Sequence, residues 1–549
     1  MITCRLANSV WKHSARGDWR SYMAAAHTAQ HSQEVLLKSI LDGACPSSFA
    51  KKFGLAKNMS VTEFQESLPV TNYRDHYAEF VKRIHQGESQ VLLRQPVHRL
   101  VPTTGSSGKA KLIPYTKALK KSFQRVVNTW IYDLHCQNPL AFRGKSYWSV
   151  TPVVQQTFED GVVPIGFESD EEYLSPLARM LSRTAIVDAP SFSGNEQATT
   201  VIRLTALKLL SEPNLSLISV WSPTLLLNIL NVIWHDQENL LRALSSGEDH
   251  FLKEVNSNPR VRYKKNPKRT REIEKSMDSL RSRESLAKVI WPQLSLISCW
   301  GDAGSKSYCE QIKQLEPDIP VQAKGLLSTE GCVSFPLGTA AGHVPAIEST
   351  FLEFIPESAT GEVRLLDQLE LDHVYEVVMT TYGGLYRYAT GDQIKVIGFS
   401  RGLPRFEFIG RTNQVIDLVG EKVPLQSIEQ AAAKFLKSET ETNRFWVVAP
   451  VALTPAIFRI YISGLTDARG LRESILARLR ENPHYVNAES LGQIVAPEIR
   501  SLPASFTIQS FHSLKSELGN QLGAVKESRV EYSPQVVARL NQLSKLLEN

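Results

Sequence analysis

Apolar positions recur at helical spacing between residues 18 and 100, as in EVLLKSILDG and VTEFQESLPV, and predict a run of helices there. The pattern breaks at HRLVPTTGSSGKAKLIPYT, which predicts a strand, a glycine-bearing turn and a second strand. Residues 117 to 135 return to an amphipathic helical period. From 146 to 300, strand-like apolar runs such as YWSVTPVV and LSLISVW alternate with helical stretches, the signature of α/β layering. Past residue 321 the pattern becomes β-rich in VQAKGLLSTEG, FLEFIP and HVYEVVMTTYGGLYRYATGDQIKVIGF, where β-branched and aromatic residues are frequent. A sheet or distorted barrel is expected in that part. After GRTNQVIDLVGEKVP the order is helix (LQSIEQAAAKFL), strand (RFWVVAP), strand (FRIYISG), helix (RESILARLRENP) and a polar tail with a helix. The expected fold is therefore α/β, with a large N-terminal domain over residues 1–410, built of mixed sheets and a β-barrel-like part. A smaller α+β domain follows over 411–549.

Composition adds limits rather than a function. With 549 residues, 42% of them hydrophobic and 21% charged, the chain has core material for more than one unit and is neither disordered nor fibrous. The net charge of +6 hints at a polyanionic partner. Seven positives, however, sit in one stretch (Arg260, Arg262, Lys264, Lys265, Lys268, Arg269 and Arg271), and without them the balance is −1. Only Tyr263 interleaves with them, so the run reads as a solvated face, and no nucleic-acid partner is expected. The six cysteines form no CxxC pair, which fits a reducing cytoplasm. The stretch MITCRLANSVWKHSARGDW lacks the apolar run of a secretory signal, and cleavage is not expected. The most apolar window, Leu215 to Trp234, is interrupted by Ser222, Pro223, Asn228 and Asn231, so it reads as a buried strand and core helix and no membrane span is expected.

Five segments carry chemistry. TTGSSGKAK, Thr103 to Lys111, packs glycines, hydroxyls and lysines into nine residues, a composition suited to wrapping phosphate oxygens with backbone N–H groups. Its spacing is not that of a Walker A loop, and a flexible Gly/Ser turn has the same composition. In LLSTEG, Glu330 is a sensible Mg²⁺ ligand and Thr329 a sensible phosphate donor, although Ser-Thr-Glu before glycine also makes an ordinary turn or cap. In YRYATGDQIKVIGF, Asp392 follows Gly391 at an expected tight turn between strands, where a carboxylate accepts from ribose hydroxyls or simply serves the turn. GRTNQVIDLVGEKV brings Arg411 and a Gly420-Glu421-Lys422 turn to the domain junction, as a hinge or a hairpin would. Finally, Lys526 lies in GNQLGAVKESR, a polar segment in which lysines are usually just solvated. His27 and His31 have helical spacing but lack a third ligand, and GxSxG is absent, so zinc-hydrolase and acyl-enzyme chemistry have no support.

The order of these segments resembles the motif succession of the adenylate-forming superfamily. Within it, YEVVMTTYGGLYRYATGD is similar to the TTYxGLYRYxxGD signature of the acyl acid amido synthetases, the auxin-responsive-promoter or Gretchen Hagen family of plants and its bacterial relatives, and points to a bacterial member. The resemblance implies an enzyme that activates a carboxylic acid as acyl-AMP with release of pyrophosphate, then transfers the acyl group to an amine, an amino acid above all. It implies ATP and Mg²⁺ as cofactors and small-molecule acids and amines as partners. Thr103, Thr104, Gly105, Ser106, Ser107, Lys111 and Thr329 would hold phosphates, Glu330 the metal, Asp392 the ribose, and Arg411 and Lys422 the nucleotide. Lys526, Glu330 and Lys422 would act on the reaction, with Lys526 carried by a mobile small domain. Leu326 stands where the family often has an adenine-stacking Tyr, and Glu421 replaces the usual Asp. The acid pocket is expected to draw on Gln124 and Arg125 and on strands near Val150 and Trp221. An acyl-coenzyme A ligase and a nucleotide-binding regulator without turnover are the competing readings.

Overall fold

The computed structural model describes residues 2–103, 111–149, 161–166, 184–187, 198–247, 265–278, 280–357, 362–411, 415, 416, 418, 419, 421, 423–436, 444–453, 455–518 and 529–546. The chain forms two compact units, Met1–Thr103 with Lys111–Gly410, and Arg411–Asn549.

The first unit opens on a helix that the sequence reading did not anticipate, Ile2–Ala26. Cys4, Ala7, Trp11, Ala15, Tyr22 and Ala26 are buried along it, a stripe at steps of three, four and seven residues that pins the helix to the domain. Two of its polar side chains tie it to distant segments. Asn8 donates to the Phe142 carbonyl at 2.8 Å and the Tyr22 hydroxyl to that of Pro345 at 2.9 Å. Further along, β1 (Arg99–Pro102) and β2 (Leu112–Tyr115) pair antiparallel, with Pro102 opposite Leu112. The Thr103 N–H donates to the Lys111 carbonyl at 2.8 Å, one more rung at the base of the glycine segment.

The expected α/β layering takes the form of a parallel sheet of β3 (Lys145–Trp148), β4 (Leu215–Ser219), β5 (Leu296–Trp300) and β6 (Val321–Lys324), in that spatial order. Every residue of β4 is buried, as a strand covered on both faces requires. Its core joins Leu207 and Leu210 of helix Ala198–Leu210 with Leu226 and Leu230 of helix Pro223–His235. Glu316, also buried, accepts from the N–H groups of Ala287 at 2.7 Å and Lys288 at 3.1 Å at the start of helix Leu286–Ile290. Burial pushes its carboxyl up to about 7, against the pull of those two donors.

Beyond β7 (Ser334–Phe335) and β8 (Val344–Pro345), the β-rich part forms a four-stranded sheet. Its strands β9 (Phe351–Pro356), β10 (Val374–Thr380), β11 (Tyr388–Ser400) and β12 (Leu403–Arg411) lie in the order β12-β11-β10-β9. Beyond β12 the pairing continues, since His343, next to β8, exchanges backbone hydrogen bonds of 2.9 and 2.8 Å with Phe406 of β12.

The second unit begins with a short antiparallel pair, β13 (Val415–Ile416) and β14 (Val423–Pro424). A four-stranded sheet of β15 (Trp446–Val451), β16 (Ile457–Ser463), β17 (Glu498–Leu502) and β18 (Lys545–Leu546) follows. Only β16 and β17 run parallel, and the helix Ala468–Leu479 between them buries Leu471, Ile475 and Leu479 against Phe458, Ile460 and Ile462. Among the described residues of the chain, no helix is long and apolar enough to cross a membrane.

Glu316 makes stability depend on pH with a definite sign. Because its folded value lies above the ordinary carboxyl value of 4.5, its contribution is complete below 4.5 and is lost as pH rises through about 7. Glu316→Gln removes that titration. The unfolding free energy from urea titration is therefore expected to fall between pH 4.5 and 7.5 in the parent by on the order of 2–3 kcal/mol more than in the variant.

Candidate functional site

The segment Thr381–Arg387 connects β10 to β11, and most of its side chains serve to fix its shape. The Thr381 N–H donates to the Leu385 carbonyl at 2.8 Å, and the Arg387 N–H to Thr380 Oγ1 at 2.8 Å. Gly384 (φ +86°) and Arg387 (φ +49°) adopt left-handed backbone, which only the glycine does without strain. Arg387 is held in place by its own side chain. Its guanidinium is 3.0 Å from the carboxylate of Glu353, a fully buried residue of β9, and also donates to the carbonyls of Gln65 at 3.0 Å and Leu68 at 2.6 Å. Tyr386, equally buried, donates to the Leu92 carbonyl at 2.8 Å.

Pinned in this way, the turn becomes the meeting place of two other motifs. A Cβ at Gly383 would lie 3.0 Å from Leu119 and 3.1 Å from the Pro114 carbonyl, so the missing side chain lets the turn rest on β2 and on the first turn of helix Lys117–Gln137. Lys111, at the exit of the glycine segment, donates to the Tyr388 hydroxyl at 3.0 Å. Ser328 to Gly331 form a tight turn, closed by the Ser328 N–H on the Gly331 carbonyl at 3.1 Å. A Cβ at Gly331 would stand 3.0 Å from Thr381 Cγ2 and 3.4 Å from Met379 Sδ. Met379 and Tyr388 are opposite each other in the β10–β11 ladder. The base of the glycine segment, the Ser-Thr-Glu-Gly turn and the Thr-Thr-Tyr-Gly-Gly turn therefore converge on one end of β10 and β11.

Around this junction Thr103 is buried, Thr329 is half-buried and Glu330 is 7% exposed. The Glu330 carboxylate makes no hydrogen bond or ion pair to a described residue. Among the described residues no group of three or more His, Cys, Asp and Glu could hold a metal ion. A single buried carboxylate without a partner among the described residues suits a hard cation that takes its remaining ligands from phosphate and water.

Asp392 is not at a turn between strands, as its Thr-Gly-Asp context suggested, but inside β11. Glu376 faces Gln393 while Val378 faces Ala389, so Val377 stands opposite Thr390, Gly391 and Asp392 in a bulge. Gly391 supplies the positive φ of +75°, Thr390 Oγ1 donates to the Val377 carbonyl at 3.0 Å, and the Asp392 N–H donates to Thr390 Oγ1 at 3.0 Å. A bulge and a turn draw on the same residue types, which is why composition did not separate them. The bulge fixes the backbone from which the buried Asp392 carboxylate extends, four residues past Tyr388.

Arg411 is the last residue of β12 and is half-buried. Glu421 is buried and accepts from the N–H groups of Leu418 and Val419, closing the turn between β13 and β14. Thr104, Gly105, Ser106, Ser107, Lys422 and Lys526 lie outside the described residues, as does Val150. Arg125 is exposed, and its neighbour Gln124 is half-buried. Thr381, Gly383 and Tyr388 carried no individual role in the sequence reading. Two adjacent glycines between strongly patterned strands were the signal that something packs close there.

Comparison with known proteins agrees with this architecture. Residues 20–321 match the GH3 family N-terminal domain and residues 343–411 the GH3 family central domain. The chain belongs to the GH3 family. It is 23% identical to the indole-3-acetic acid-amido synthetase GH3.4 of Arabidopsis thaliana, over 78% of this chain and 75% of that protein. Identity to the jasmonoyl-L-amino acid synthetase JAR6 of Nicotiana attenuata is 22%, over 90% and 89%. The solved structure of the GH3.15 acyl acid amido synthetase in complex with 2,4-DB superposes with a TM-score of 0.74 at 18% identity, covering 96% of each chain, so this GH3 chain shares that fold.

The Glu353 and Arg387 pair gives this junction a stability test. Glu353→Gln leaves the Arg387 guanidinium buried without its counter-ion and is expected to cost about 3–5 kcal/mol in urea unfolding. A loss under about 1 kcal/mol would show that the turn is held by its backbone bonds alone.

Proposed function

We propose that this chain is an ATP-dependent acyl acid amido synthetase acting on a small carboxylic acid and an amine, an amino acid above all. The observation that carries the proposal is the convergence of Lys111, the Glu330 turn and the Thr381 turn on one end of β10 and β11, in a chain whose relatives are named amido synthetases. In the first half-step a carboxylate oxygen of the acid attacks the α-phosphorus of ATP and pyrophosphate leaves. In the second, the amine attacks the acyl carbon and AMP leaves.

The residues divide this work by position. The rung between Thr103 and Lys111 sets the base from which Thr104, Gly105, Ser106 and Ser107 would present N–H and hydroxyl donors to phosphate oxygens. Lys111, steadied by Tyr388, adds positive charge at the mouth, and Thr329 a further hydroxyl. Glu330 would hold Mg²⁺, which when bound neutralises charge on the phosphates. The two oxygens of Asp392 would accept from the ribose hydroxyls, with Arg411 and Lys422 beside the nucleotide. Lys526 would arrive with the small domain, residues 411–549, to neutralise charge that develops as the acid attacks, and the hinge would lie at 411–422. Leu326 offers adenine an aliphatic contact in place of an aromatic one. We place the protein in the cytoplasm, in keeping with its six free cysteines.

Acid-dependent pyrophosphate release with pooled carboxylic acids, followed by mass spectrometry of products formed with amino acids or with coenzyme A, tests the reading. Amides are expected. Thioesters alone would replace it with an acyl-coenzyme A ligase, and no release with any acid would leave a nucleotide-binding regulator. Lys526→Ala is expected to slow pyrophosphate release about 100- to 1000-fold with ATP affinity nearly unchanged, and an unaltered rate removes Lys526 from the mechanism. Glu330→Gln is expected to raise the magnesium concentration for half-maximal release by about tenfold or more, equivalent to ~1.4 kcal/mol.

A further inference from the structure

Helix Ser48–Lys52, the turn Tyr73–Tyr77 and helix Ala78–His85 border a cavity of about 350 Å³. Phe80 gives it an aromatic wall, and Lys52, Arg74, Asp75, Glu79 and Arg83 give it charge. Arg83 is already satisfied. Its Nε donates to the Glu88 carboxylate at 2.7 Å and its Nη2 to Ser48 Oγ at 3.0 Å. The other four, two cations and two carboxylates, make no ion pair with a described residue. Asp75 accepts from the Asn72 side-chain amide at 2.8 Å, and the Lys52 ammonium lies 5.4 Å from the ring centre of Phe80. Charges of both signs thus line one cavity without neutralising one another. A simple anion there would meet Asp75 and Glu79, and a simple cation would meet Lys52 and Arg74. A molecule carrying one carboxylate and one ammonium complements all four.

The wall that carries Arg74 and Asp75 is also tied to the candidate site. In the turn Tyr73–Tyr77 the Ala78 N–H bonds to the Tyr73 carbonyl five residues back, a π-helical register found mostly as single turns and frequently at functional positions. The tyrosines at its two ends hold the junction. Tyr73 Oη accepts from the Leu112 N–H at 3.0 Å and donates to the Leu112 carbonyl at 3.1 Å, and Leu112 directly follows Lys111. Tyr77 Oη accepts from the Tyr386 N–H and donates to the Tyr386 carbonyl, both at 2.7 Å. A shift of the π-helical turn is therefore carried to the base of the glycine segment and to the Thr381–Arg387 turn.

We propose that this cavity is an effector site for a free α-amino acid, with its carboxylate on Lys52 and Arg74 and its ammonium on Asp75 and Glu79. Tyr73 and Tyr77 transmit its occupancy to ATP binding. This inference rests on the amido synthetase reading for the presence of ATP, but the cavity's affinity for a zwitterion stands apart from it.

The probe is N,N-dimethyl-leucine, whose tertiary nitrogen keeps both charges and forms no amide. Calorimetric titration of the full chain without ATP is expected to show saturable binding. Arg74→Ala and Glu79→Gln, both at exposed positions, are each expected to weaken it by about tenfold or more. In a second titration, saturating probe is expected to change the ATP affinity of the parent by about fivefold or more and to leave that of Arg74→Ala unchanged. No saturable binding in the parent, or equal binding in all three proteins, overturns the proposal. Binding lost in Arg74→Ala but kept in Glu79→Gln marks a plain anion site and overturns the assignment of an amino acid. An ATP affinity unmoved by bound probe overturns the effector role. Probe binding that needs both residues, in a chain that binds no ATP, would uphold the amino acid site and reject the adenylation reading.

Discussion

The carboxylate of Glu353 is the anchor of the candidate site. By holding the Arg387 guanidinium in the interior, it forces a non-glycine residue into left-handed backbone and thereby sets the path by which the chain leaves β10 and enters β11. Everything placed at the junction depends on that path. Gly383 reaches β2, Thr381 reaches the turn that carries Glu330, and Tyr388 reaches Lys111 because the segment between the two strands has one shape. A buried ion pair is an expensive way to stabilise a fold, and its value here is better seen as specification of a single geometry.

Much of this was readable in the sequence, for physical reasons that differ between elements. The α/β layering was readable because a strand buried on both faces, such as LSLIS with Leu215, Leu217 and Ile218, stands out as an apolar run between helical stretches. In the small unit the opening run of helix, strand, strand and helix was legible from periods, whereas β17 and β18 were not read, because they lie in what looked like a polar tail. The first helix was not read, since its buried stripe is made of Cys4, Ala7, Trp11, Ala15 and Tyr22, small or amphipathic residues that contribute little to a hydrophobicity pattern. Asp392 was found but misplaced, because bulge and turn draw on the same threonine and glycine.

The motif that identified the family proved mainly architectural. Tyr386 and Arg387 are buried and bonded to the main chain of distant segments, and neither is free to touch a substrate. Sequence reasoning finds such residues by their order and cannot assign them roles, since contacts more than 300 positions apart leave no local trace. The cavity beside Arg74 illustrates the converse. Lys52, Arg74 and Glu79 look unrelated along the chain, and only the packing of helix Ser48–Lys52 beside the π-helical turn brings them together.

The rung between Thr103 and Lys111 has a geometric consequence for the residues on either side of the glycine segment. Its 2.8 Å bond keeps the two flanks on neighbouring strands about 5 Å apart, so neither can shift without the other. Since the Lys111 ammonium is also bonded to the Tyr388 hydroxyl, the mouth of the segment is clamped from two sides.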